Sequence, residues 1–118
     1  NNVTTAKDLM TILKSIAVAS SEITKDQIAM INVLKAQEFN DIIPRFLPLD
    51  VEVAHKTGSI TGSHHDAGII YLPNGEIYIL VLLSKNLKDF NQGTLTLAKI
   101  SKLFYEHVTA FQVHSNKQ

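Results

Sequence analysis

Apolar residues recur three and four positions apart over Leu9, Ile12, Leu13 and Ile16, and again over Ile28, Ile31 and Leu34 with Met30 beside them. That spacing stacks side chains on one face of an α-helix. Each run has a start signal. Thr5 can accept an exposed amide, with Asp8 three residues on, where an acid favours the positive helix end. Thr24 is followed by Gln27, which completes a capping box. The pattern predicts helices over 5–18 and 25–36, joined by the polar Ser20-Ser21-Glu22 link, each with its apolar stripe facing a core. Between 39 and 48 the period lapses. Pro44 and Pro48 bracket Arg45-Phe46-Leu47, which predicts a buried turn or short helical segment. Arg45, the sole arginine, is expected to pair with Asp50 or Glu52.

The period then shortens to two, predicting strands over 51–59, 66–72 and 76–83. Pro73-Asn74-Gly75 joins the last two as a hairpin, because Asn-Gly accepts the left-handed dihedrals of a tight turn. In the third strand Tyr78, Leu80 and Leu82 oppose Ile77, Ile79, Val81 and Leu83. Both faces are apolar, so this strand is expected to be the most buried and to lie inside a larger sheet. Leu95, Ile100, Leu103 and Phe104 predict a last helix over 92–108, with fraying expected from Phe111 onward. The fold class is α/β (α+β), an antiparallel sheet flanked by helices.

A chain of 118 residues allows one domain with a modest core. Its 45% hydrophobic content argues against disorder. Eleven basic and eleven acidic residues cancel, so nucleic-acid binding is not expected. No cysteine is present, which excludes disulfides and thiolate sites. The longest apolar run, Ile77 to Leu83, is too short to cross a bilayer.

Candidate chemistry gathers at Lys56-Thr57-Gly58-Ser59. On a strand, Lys56 and Gly58 share one face and Thr57 and Ser59 the other. An ammonium and hydroxyls can hold a carboxylate. A strand edge can present a backbone N–H to a developing oxyanion. Gly58 leaves room for a substrate. The alternative is a surface lysine beside a glycine turn.

Lys-Thr-Gly is one of the three motifs of the penicillin-recognising serine enzymes, and the chain resembles the C-terminal part of a class A β-lactamase. Val53-Ala54-His55-Lys56-Thr57-Gly58-Ser59-Ile60-Thr61-Gly62 is similar to that family's active-site strand and following loop. His65-Asp66-Ala67-Gly68-Ile69-Ile70-Tyr71-Leu72-Pro73-Asn74-Gly75 resembles its next strand and hairpin. Thr4-Thr5-Ala6-Lys7-Asp8-Leu9 is similar to the helix start after the omega loop, and Ile43-Pro44-Arg45-Phe46-Leu47-Pro48 to the segment leading into the motif strand.

The resemblance implies an enzyme whose serine attacks a β-lactam carbonyl, after which water releases the acyl group. It implies catalytic roles for Lys56, by its charge, and Ser59, by its backbone N–H at the oxyanion. It implies substrate-binding roles for Thr57, Gly58 and Ser59. It further implies a partial fold lacking its N-terminal half, a companion segment or chain carrying Ser-x-x-Lys, and a setting in the cell envelope or outside the cell. No cofactor or metal is implied. The departures are as specific. No Ser-x-x-Lys or Ser-Asp-Asn occurs, Ser21, Ser84 and Ser101 all failing that spacing. The omega-loop glutamate would lie upstream of Asn1, so the chain alone is expected to be inactive. Ala67 stands where many class A enzymes place an arginine. Two alternatives stay open: part of a D-alanyl-D-alanine peptidase or transpeptidase, and a non-catalytic domain of the same fold. His55, His64 and His65 lack metal-ligand spacing. His107 and His114 read as surface residues.

Overall fold

A computed structural model of the chain describes residues 3–17 and 22–115, the side chains of 113–115 excepted. Position 18 of the first predicted helix, Ser20 and Ser21 of the link, the His114 side chain and the end of the tail lie outside the described residues. Helix α1 spans Ala6–Ala17 and α2 spans Lys25–Lys35. Their starts are set by hydroxyl caps. Thr5 Oγ1 accepts the Asp8 N–H at 3.1 Å. Thr24 accepts the Gln27 N–H at 3.2 Å, while Gln27 Oε1 accepts the Thr24 N–H at 2.9 Å. Gln27 Nε2 also donates to the Ser15 carbonyl, which ties the second helix start to the end of the first.

Residues 41–50 form successive turns, with Arg45 N–H to Ile42 O, Leu47 N–H to Pro44 O and Val51 N–H to Pro48 O. Ile42 and Ile43 there are fully buried. Arg45 departs from its expected ion pair: its guanidinium lies 5.2 Å from the Phe46 ring centre, and Glu52 is taken by Lys35 at 2.9 Å.

Strands β1 (Glu52–Ile60), β2 (Ser63–Tyr71) and β3 (Ile77–Leu82) pair antiparallel in the order β1-β2-β3. Two differences from the sequence pattern have physical causes. β2 begins three residues before 66, because Thr61 and Gly62 turn the chain in two residues, with Gly62 at φ 75°. The polar Ser63-His64-His65 hides this start, since His64 is buried all the same. And β2, not β3, is the inner strand. β3 is apolar on both faces because helices cover both, not because strands flank it.

Leu13, Ala54 and Ile69 pack between the sheet and α1–α2. On the other face α3 (Phe90–Ser115) sends Leu97 into a cluster with Ile42, Ile43, Leu47, Val51, Ile70, Leu72, Leu80 and Leu82. α3 starts ahead of the predicted 92, where Asp89 Oδ1 accepts the Gln92 N–H at 2.9 Å, and it continues through Ser115 where fraying was expected. α2 faces the cluster of Leu13, Ala54 and Ile69 through Ile31 and Leu34, which pack against it half-buried, while Ile28, Met30 and Val33 are exposed. The expectation of a partial fold lacking its N-terminal half is corrected. An antiparallel sheet covered on both faces by helices of this same chain runs through nearly all of it.

Candidate functional site at the outer edge of β1

Lys56 and Gly58 lie on the α1–α2 face of β1, and Thr57 and Ser59 on the α3 face with His55, as strand alternation requires. Across the pair, Lys56 opposes Ala67, Thr57 opposes Asp66, Gly58 opposes His65 and Ser59 opposes His64. Ser84 Oγ accepts the His64 N–H at 3.0 Å and donates to the His64 carbonyl. Both backbone groups of His64 therefore turn away from β1. In an antiparallel ladder their absence marks a non-hydrogen-bonded pair. The N–H and C=O of Ser59, and by alternation those of Thr57 and His55, point outward along an edge that no described strand covers. The Thr57 carbonyl is accordingly free to accept from Lys56 Nζ at 2.6 Å. Nothing lies within 4 Å of a Cβ built on Gly58, so the edge is open to a close approach.

A hollow lies on each side of this edge. The larger, about 690 Å³, runs between Leu9, Ile12 and Leu13 of α1 and Lys56, Gly58 and His65 of the sheet. The smaller, about 410 Å³, has Thr57 and Ser59 on one side, Phe39 and Asp41 on another, and His64 with Phe90 closing it. The His64 ring stacks on Phe90 with centres 4.7 Å apart and planes 16° off parallel. Thr94 Oγ1 gives its proton to the Phe90 carbonyl at 2.9 Å. It must therefore accept from His64 Nδ1, 2.7 Å away.

Behind the strand lies a feature the sequence reading missed. His55 and Asp66, 1% and 0% exposed, meet through Nδ1 and Oδ1 at 2.8 Å. Asp66 Oδ2 accepts the Ile43 N–H at 3.0 Å, and His55 Nε2 faces Asn40 Oδ1 at 3.1 Å. The signal was faint: a His and an Asp on the same face of neighbouring strands, with a glycine opposite the His. Gly68 pairs with His55, and a Cβ there would come 2.8 Å from His55 Cβ.

The four motif residues are thus brought to one open edge. Serines compared above with the Ser-x-x-Lys pattern do not join them. Ser101 is buried and donates to the Ile43 carbonyl at 2.9 Å, Ser84 binds His64, and Ser21 lies outside the described residues. Ala67, opposite Lys56, contributes only a methyl group.

The sequence model of the beta-lactamase enzyme family matches residues 1–108. No curated protein sequence matches the chain. In fold the chain is similar to the solved structure of PBP-A, with 23% identity and a TM-score of 0.80 over 88% of this chain and 39% of that one. It is similar to a class A beta-lactamase from Bacteroides cellulosilyticus DSM 14838, with 26% identity and a TM-score of 0.76 over 88% and 41%. A beta-lactamase from Chitinophaga pinensis DSM 2588 gives 26% identity and a TM-score of 0.74 over 85% and 40%. The chain spans about two-fifths of the length of these solved proteins. The expectation that the resemblance marks only a C-terminal segment is corrected by the same findings, since the match begins at residue 1 and takes in almost the whole chain. On this match the chain belongs to the beta-lactamase enzyme family.

Proposed function

We propose that this chain binds the carboxylate and reacting carbonyl of a β-lactam, or of a cell-wall peptide ending in D-alanyl-D-alanine, along the open edge of β1. The binding serves a serine hydrolase that works through an acyl-enzyme. The observation that carries this reading is the outward N–H of Ser59 beside Lys56 and the unobstructed Gly58. When a serine attacks a carbonyl, charge builds on the oxygen, and a fixed backbone N–H stabilises it more than it stabilises the ground state. In this reading Ser59 supplies that N–H. The Thr57 and Ser59 hydroxyls and the Lys56 ammonium hold the carboxylate. Gly58 gives clearance. No Ser-x-x-Lys occurs in these 118 residues, so the chain by itself binds and does not turn over. β-Lactams and cell-wall peptides are met in the cell envelope or outside it, and the protein's setting follows from that chemistry.

The test is a titration of the ¹⁵N-labelled chain with benzylpenicillin and, separately, diacetyl-Lys-D-Ala-D-Ala, followed by amide shifts. Perturbation centred on Lys56 to Ser59 is expected, with no hydrolysis of either probe. Lys56→Ala should weaken binding about tenfold, the worth of one charge-assisted hydrogen bond. Shifts confined to other elements, or none with either probe, would sink the reading.

A further inference from the structure

The His55–Asp66 pair has no part in the binding scheme above, and its hydrogen bonds point to one. Asn40 Nδ2 donates to the carbonyls of Gln37 at 3.4 Å and Glu38 at 3.3 Å. That fixes the amide with its oxygen toward His55 Nε2. Asp66 Oδ1 faces the other ring nitrogen. Both nitrogens of a buried ring therefore face oxygen atoms, and the ring bridges Asp66 to Asn40.

We propose that His55, bridging Asp66 and Asn40, is a positioning residue that fixes the far wall of the smaller hollow through Asn40. Phe39 and Asp41 flank Asn40 in the chain, and both line that hollow across from Thr57 and Ser59. Phe39 is 68% exposed, so packing alone does not hold it there. The linker from Phe39 to Ile43 is instead tied at two points. Asn40 is held by His55, and Ile43 is held through its N–H by Asp66 and through its carbonyl by Ser101. His55 immediately precedes Lys56, so wall and floor are both referenced to one strand. A ligand seated on Thr57 and Ser59 meets an aromatic ring and a carboxylate at a set distance. The hollow thereby favours ligands that carry an apolar or cationic group on the side remote from their carboxylate.

This inference rests on the proposed binding along β1, and its test separates the two. Asn40→Ala leaves the buried pair in place, and Asn40→Asp keeps an oxygen to face Nε2. Asn40→Ala should shift the Phe39 and Asp41 amides and weaken benzylpenicillin about fivefold, with a thermal midpoint near wild type, whereas Asn40→Asp should stay within about twofold. Unmoved Phe39 and Asp41 amides in Asn40→Ala, or an Asn40→Asp variant as impaired as Asn40→Ala, would overturn it. If benzylpenicillin fails to bind the wild-type chain, the binding reading falls, and the Phe39 and Asp41 amides still decide the positioning role.

Discussion

Gly58 and Gly68 lie on neighbouring strands in opposite surroundings, and alanine at each asks a different question. At Gly68 a methyl would sit 2.8 Å from His55 Cβ and 3.1 Å from the Ala54 carbonyl, both in the middle of paired strands. Neither can move without disturbing the ladder, so Gly68→Ala should cost about 1–3 kcal/mol in urea denaturation, as overpacked cores do. At Gly58 no atom stands in the way, and the folded state gains nothing from the missing side chain. Gly58→Ala should leave the denaturation midpoint unchanged and weaken benzylpenicillin, because its methyl projects into the space beside Lys56. Equal loss of stability in both variants would show that Gly58 serves the fold and not the ligand.

Among the elements, β3 carries a titratable group with a defined consequence. Burial, and secondarily the neighbouring Tyr105, push the Tyr78 phenol from 10.0 up to about 12. Its hydroxyl has no hydrogen-bond partner among the described residues. Between those two values the unfolded chain has lost a proton that the folded chain keeps. Stability is therefore fully present below pH 10 and falls as the pH rises toward about 12. Tyr78→Phe should flatten that alkaline decline in urea melts and be neutral or stabilising near neutral pH, since it removes an unpartnered buried hydroxyl. The elements also show what a sequence carries openly. Helix starts at Thr5 and Thr24 were legible because a cap and its partner lie three residues apart. The Lys56 to Ser59 edge was legible because its four residues are consecutive. The inner position of β2 and the early start at Ser63 depend on which strands pair, and period-two alternation does not encode that. His55, Asp66 and Asn40 meet only once β1, β2 and the linker are assembled, so no local spacing announces them.

At the scale of the molecule, the sheet is narrower than what covers it. Three strands about 4.8 Å apart make a platform roughly 10–15 Å wide, whereas two helices side by side need about 20 Å. Two helices share one face, so one must overhang, and α2 does, with Ile28 and Val33 48% and 65% exposed. The folded chain should therefore enhance the fluorescence of an apolar dye such as ANS without denaturant. Ile28→Lys with Val33→Lys should remove most of that signal with little change in stability. A dye response that survives the double substitution would move the exposed surface elsewhere. Ser84 has a consequence of a different kind. Its hydroxyl grips His64 and its N–H reaches His65 Nδ1 at 3.1 Å, so a two-residue slip of β2, with β1 paired to it, against β3 would break all three contacts. The open edge then works as a ruler with a fixed zero mark: its outward N–H groups recur about every 6.8 Å from a constant origin. Ligands laid along it are sorted by the distance between their own polar groups before any side chain is read.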